Sequence, residues 1–217
     1  MKAYLIGGLA ADERVFRHIR FPDNYEPVFL NWIVPEKNES LVSYARRMAG
    51  QMDTSVNFIL VGVSFGGMLA VEISRLFPSD KTILIASVPE HKQLPGYFRW
   101  MYKAGLPRFV PISLIKNGVM FRRLFTAETN EDKDIIRSMV RNADPGFIRW
   151  AMIAALEWEA VSESSNYVHI HGTDDFVFPH RYTKPSHTII KGGHLMVMDR
   201  ADDINSIIAE VLLEKPV

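Results

Sequence analysis

The chain has 217 residues, enough for one domain with an insertion, and 47% of them are hydrophobic, as expected of a protein that buries a core. Its 25 basic residues balance 25 acidic ones with no long run of either sign, which argues against a nucleic-acid partner and against a basic membrane-facing surface. There is no cysteine, so disulfides, thiolate metal sites and a cysteine nucleophile are excluded.

The first residues, MKAYLIGGLAAD, carry Lys2, an apolar run and Ala10-Ala11 in the manner of a short signal peptide. Gly7-Gly8 interrupts the run after a single charge, so residues 3–6 read as a first strand followed by its loop. No stretch of about twenty apolar residues is present to span a bilayer. The expectation is a cytoplasmic protein without a membrane partner. Further short apolar runs follow at 27–30 (PVFL), 57–63 (NFILVGV), 82–86 (TILIA), 167–171 (YVHIH) and 187–190 (HTII). They are rich in Val, Ile and Leu and hardly alternate, which suits strands covered on both faces and hence a parallel sheet.

Helical patterns lie between these runs. Leu41, Tyr44, Ala45, Met48 and Met52 recur at helical spacing behind Ser40, a candidate N-cap. Gly66 to Phe77 is apolar almost all round and stops at Pro78, as for a helix packed deep on a sheet. Ile204, Ile207, Ile208, Val211 and Leu212 form one face after Asp202-Asp203. Strand and helix in alternation predict an α/β fold with right-handed crossovers.

The alternation stops between about residues 90 and 160, an interval much longer than a crossover requires. It holds Pro95, Pro107, Pro111 and many large apolar side chains, among them Phe98, Trp100, Met101, Phe109, Met120, Phe121, Phe147, Trp150 and Met152. Two helix starts are legible: Thr129 with Asp132 three places on, and Asp144 followed by Pro145. The interval reads as a helical lid inserted after the fourth strand. The organisation expected is thus a single domain over 1–217, with a core of 1–89 and 161–217.

Gly62-Val63-Ser64-Phe65-Gly66 matches G-x-S-x-G between a buried strand and an apolar helix. In such a sharp turn the serine is strained and exposed, and a side chain two places before or after it would collide with the turn. A serine hydroxyl becomes nucleophilic when a histidine accepts its proton and a carboxylate holds that histidine. Downstream, HGTDDFVFP offers Asp174 and Asp175 after one strand, and KGGHLMV presents His194 after the next. All three positions fall beyond the C-terminal ends of strands, where open parallel sheets bind ligands. Spacing alone does not choose between the two aspartates. His169 and His171 alternate on one strand near His180 and are read without a metal, His171 as a residue that hydrogen-bonds within the loop and shapes it. His18, His91, His180 and His187 read as surface or loop residues.

These ordered motifs resemble the α/β-hydrolase fold in its small, lidded form, over nearly the whole chain. The resemblance implies a mostly parallel sheet with helices on both faces, lacking the antiparallel strand pair common at the family's N-terminus, and thus about six strands. It also implies a Ser64–His194–acid triad, ester hydrolysis and no cofactor or metal. The family's loop reads His-Gly-x-x-Asp with a proline four places beyond, which His171, Gly172, Asp175 and Pro179 fit, so Asp175 is the implied acid. The implied oxyanion donors are the backbone N–H groups of Phe65 and Leu9. Gly7 departs from the family, which usually has histidine there. Gly8, Trp32, Trp100 and Trp150 are the candidate substrate-binding residues. The substrate expected is a small, largely apolar ester. The same triad also serves carbon–carbon bond hydrolases and lyases, and the same fold serves small-molecule receptors.

Overall fold

Strands without alternation need cover on both faces, and the six apolar runs meet that need by pairing side by side. The computed structural model describes residues 1–105, 129–159 and 167–213. Its strands are β1 (Lys2–Ile6), β2 (Glu26–Phe29), β3 (Phe58–Val63), β4 (Lys81–Ile85), β5 (Tyr167–Gly172) and β6 (His187–Ile189). They form one sheet in the order β2-β1-β3-β4-β5-β6, and every pairing is parallel. The fold class expected from the sequence is the one observed, with strand limits moved by a residue or so.

Helices flank the sheet: α1 (Leu41–Met48), α2 (Phe65–Leu76), α3 (Gly96–Lys103), α4 (Asn130–Asn142), α5 (Pro145–Glu157), α6 (Met196–Asp199) and α7 (Ala201–Leu213). The sheet's alternation divides the core into two layers. Tyr4, Ile6, Leu60 and Leu84 face α1, α2 and α5, whereas Ala3, Leu5, Ile59, Val61, Ile83, Ile85 and Ile170 face α4, α6 and α7. The chain turns one way from β1 to β2 and the other way from β3 to β4. The crevice between the ends of β1 and β3 is therefore a topological switch point, and the first turn of α2 stands in it.

Capping explains where the helices begin. Ser40, Thr129 and Asp144 each accept a hydrogen bond from the amide three residues on. At Thr129 the hydroxyl also donates to Asp132 Oδ2 at 2.7 Å.

The interval read as a lid is heterogeneous. Residues 106–128, with Pro107, Phe109, Pro111, Met120 and Phe121, lie outside the described residues, as does 160. On α4, Ile136, Met139 and Val140 enter one core layer, and Arg17 holds Glu131 at 2.6 Å. On α5, Phe147, Ala151 and Ala154 enter the other layer. Trp150 Nε1 donates to Glu39 O at 2.8 Å, and Trp158 Nε1, just beyond the helix, donates to the buried Glu72 carboxylate at 2.7 Å. These two helices pack as core, and α3 packs against α5. Removing the α5 cap by Asp144→Ala should lower stability by about 1 kcal/mol. Urea unfolding monitored by circular dichroism measures this, with the slope of the transition unchanged.

Candidate active site

Three loops bring the predicted residues together at one sheet edge. Ser64 follows β3 with φ 53 and ψ −119, outside the regions that side chains ordinarily favour. Glycine is needed on both sides of it. A β-carbon on Gly62 would lie 2.6 Å from Gly66 C and Gly67 Cα, and one on Gly66 would enter the carbonyl oxygens of Ile6 and Gly7. A β-carbon on Gly8 would stand 3.3 Å from Ser64 Cβ, so the β1 loop closes directly on the serine.

Asp175, in the loop after β5, is 3% exposed. Its Oδ1 accepts from the amides of Val177 at 2.8 Å and Phe178 at 2.9 Å. Its Oδ2 lies 2.9 Å from His194 Nδ1, and His194 Nε2 lies 2.8 Å from Ser64 Oγ. Burial works against the Asp175 charge, yet the adjacent His194 and the donors around it hold the carboxyl below its ordinary value. An ionised carboxylate only accepts, so His194 Nδ1 carries the proton, and neutral Nε2 is left to accept from the serine hydroxyl. Asp174, which spacing alone could not separate from Asp175, is exposed and accepts from the Thr173 hydroxyl at 2.8 Å.

A cavity of about 180 Å³ opens beside Ser64. Leu9, Phe65 and Met68 line it from the sheet side, Phe98 and Met101 from α3, Met152, Ala155 and Leu156 from α5, and Val177 and Phe178 from the acid loop. Leu9 and Phe65, the implied oxyanion residues, thus border the same space as the hydroxyl. Larger depressions occur elsewhere and do not touch Ser64, one of about 310 Å³ at Trp32 and Phe147 and one of about 850 Å³ beside Trp150.

None of the three tryptophans named as substrate-binding candidates borders the cavity at Ser64. Trp100 is 66% exposed on the outer side of α3. Trp32 donates from Nε1 to Ala11 O at 2.7 Å, and Trp150 packs on Tyr44 with centroids 4.3 Å apart. Both indoles stand 6.0 Å from the Phe65 ring and buttress it from behind, outside the cavity. An indole N–H seeks an acceptor when it is removed from water, and here loop carbonyls supply one. His18, read as a surface or loop residue, lies in a turn and is partly exposed, with Nε2 3.1 Å from the Asp132 carboxylate.

Sequence reasoning missed Ser87 and the partner of His169. Ala86, at φ 47, turns the chain after β4 so that Ser87 Oγ donates to Ser64 O at 2.7 Å. His169 Nε2 lies 2.9 Å from Ser87 O and 3.3 Å from His171 Nδ1, and His171 Nε2 lies 2.7 Å from Phe178 O. A serine after a strand carries no motif, so no local signal marks Ser87. Among the described residues no group of His, Asp and Glu is arranged to hold a metal ion, and no helix is long and apolar enough to cross a membrane.

A family model described as the alpha/beta hydrolase family matches residues 16–207. No curated protein matches the chain. Among solved structures, an esterase from Exiguobacterium antarcticum is similar at 15% identity and a TM-score of 0.71, over 99% of this chain and 92% of that one. A bromoperoxidase from Bacillus anthracis is similar at 14% identity and a TM-score of 0.71, over 98% and 92%. A thermophilic esterase from Thermogutta terrifontis, with malate bound, is similar at 18% identity and a TM-score of 0.68, over 98% and 89%. At these identities the likeness is one of fold.

The two histidines of β5 are fully buried, and this sets a pH dependence of stability. Burial pushes His169 down to about 3, helped by the neighbouring His171, while the Ser87 carbonyl opposes the shift. Burial also lowers His171, against the opposing pull of Asp175. A base depressed on folding binds its proton more readily in the unfolded chain. Its contribution is therefore complete above the unfolded value of about 6.5 and is lost as pH falls. Stability should drop by up to about 1.4 kcal/mol per pH unit for each such histidine. Denaturant titrations at a series of pH values check this, and His169→Gln should flatten the acid limb.

Proposed function

Because the chain belongs to the alpha/beta hydrolase family, we propose that it is a serine hydrolase cleaving a small, largely apolar carboxylic ester through an acyl-enzyme. The observation that carries the reading is the unbroken hydrogen-bonded line from Ser64 Oγ through His194 to Asp175. His194 Nε2 takes the hydroxyl proton as Ser64 Oγ attacks the ester carbonyl. Asp175 holds the Nδ1 proton and stabilises the imidazolium that results. The oxygen of the tetrahedral intermediate is met by the N–H groups of Phe65, at the first turn of α2, and Leu9. Such preorganised donors stabilise the developing charge most where water is excluded. The imidazolium then protonates the leaving alcohol. A water molecule activated by the same histidine releases the acid and restores Ser64.

The cavity supports the substrate class. Among the described residues, the side chains that line it are apolar apart from the Ser64 hydroxyl, so a charged acyl group would lose its hydration without a partner among them. In this reading α3 serves as the movable part of the lid, since α4 and α5 are built into the core.

Ser64→Ala should lower turnover of p-nitrophenyl butyrate at least about a thousandfold with unfolding unchanged. A fluorophosphonate probe should label Ser64 in the wild type, located by mass spectrometry of the peptide. Asp175→Asn should lower kcat by about ten-thousandfold and Asp174→Asn by less than about tenfold. Many turnovers per protein molecule identify an enzyme, whereas one stoichiometric acylation identifies a receptor.

A series of acyl esters tests the cavity. The specificity constant should rise from acetate toward longer chains by up to about 0.8 kcal/mol per methylene and then level off as the space fills. A flat series means that the cavity does not receive the acyl group.

A further inference from the structure

Two buried side chains that the reaction does not use connect both ends of the triad. His169 and His171 lie side by side on β5 at 0% exposure, with centroids 5.2 Å apart. The direction of their hydrogen bonds follows from the carbonyls they meet, since a carbonyl only accepts. His171 Nε2 carries a proton because it meets Phe178 O at 2.7 Å, and His169 Nε2 carries one because it meets Ser87 O at 2.9 Å. The His169 proton also faces His171 Nδ1 at 3.3 Å, so that nitrogen is the acceptor and His171 is neutral. A proton on His171 Nδ1 would point into the His169 N–H.

This orders the site. Ser87, the anchor of the pair, also donates from Oγ to the carbonyl of Ser64, fixing the strained turn that carries the hydroxyl. At the other end, His171 Nε2–H grips the Phe178 carbonyl, and the Val177 and Phe178 amides hold Asp175 Oδ1. The same N–H lies 3.6 Å from Asp175 Oδ2, the oxygen that faces His194. His194 and His180 also stand near His171, the ring centroid of His180 at 6.3 Å from that of His171.

We propose that His169 and His171 are positioning residues, a one-way chain of N–H donors that sets the acid loop against the nucleophile turn and keeps Asp175 aimed at His194. This rests on the serine-hydrolase reading for its kinetic consequence, but its structural content does not.

The test combines ring-nitrogen NMR of the wild type with two variants. At neutral pH the wild-type 15N spectrum should show both histidines neutral with the proton on Nε2, and a downfield proton resonance from the His194–Asp175 bond. His171→Asn keeps an acceptor for His169 but stops short of Phe178, whereas His171→Gln reaches it. The Asn variant should shift or lose the downfield resonance and lower kcat up to about a hundredfold, with KM within about twofold. The Gln variant should recover most of both. An Nδ1–H tautomer or a charged ring at His171 in the wild type overturns the proposal, and this needs no variant to fold. Equal impairment of the Asn and Gln variants, or a folded Asn variant with wild-type kcat and resonance, also overturns it. If the wild type turns over no ester and its serine is unlabelled, the serine-hydrolase reading fails, and the tautomers and the resonance still decide the positioning role.

Discussion

A carboxylate removed from water must be met by donors or lose its charge, and the loop that carries Asp175 is built around that requirement. Oδ1 takes two backbone amides and Oδ2 takes an imidazole, so both oxygens are engaged inside the fold. The loop is tied in turn to the loop of His194: Thr173 N donates to Ile189 O and Asp174 N to Gly192 O, each at 3.0 Å. Gly172 and Gly192 approach so closely that a β-carbon on Gly172 would lie 2.8 Å from Gly192 Cα. Asp175 and His194 are therefore set by one pair of interlocked strand ends.

Ser64 comes from the opposite half of the sheet and obeys a different constraint, backbone contact. Gly66 sits against the β1 loop, and Gly8 of that loop sits against Ser64. The link between the halves runs through the end of β4, where Ala86 donates to Ile170 O at 3.0 Å and Ser64 donates to Ile85 O at 3.0 Å. Parallel pairing makes this possible, because all the strand ends that bear loops of the site emerge on one edge.

The strands, the caps at Ser40, Thr129 and Asp144, and the turn at Ser64 were legible because each is a local pattern: an apolar run, a side chain three residues from an amide, or glycines two places from a serine. The order Ser64, Asp175, His194 was legible only with the help of a family resemblance, since spacing left two aspartates open. That the tryptophans stand outside the cavity at Ser64 was not legible, because composition marks them as large and apolar without saying which way they face. Trp150 turns to the carbonyl of Glu39, a partner distant in sequence. The buried role of Glu72 was hidden for the same reason: besides Arg75 three residues on, its carboxylate is met by Trp158, from just beyond α5. The His169–Ser87 contact joins positions 82 residues apart and leaves no trace in either segment.

Met68, Met101 and Met152 reach the serine cavity from three different helices. An unbranched thioether chain has three rotatable bonds and changes shape at small energetic expense, unlike the branched side chains that dominate the sheet. The walls on the α2 and α5 sides are fixed by the core, but their inner surface can be remoulded by rotamer changes alone. The site thus joins a rigid edge at Ser64 to a compliant lining, and the shape of the cavity can change without moving the backbone that holds Ser64.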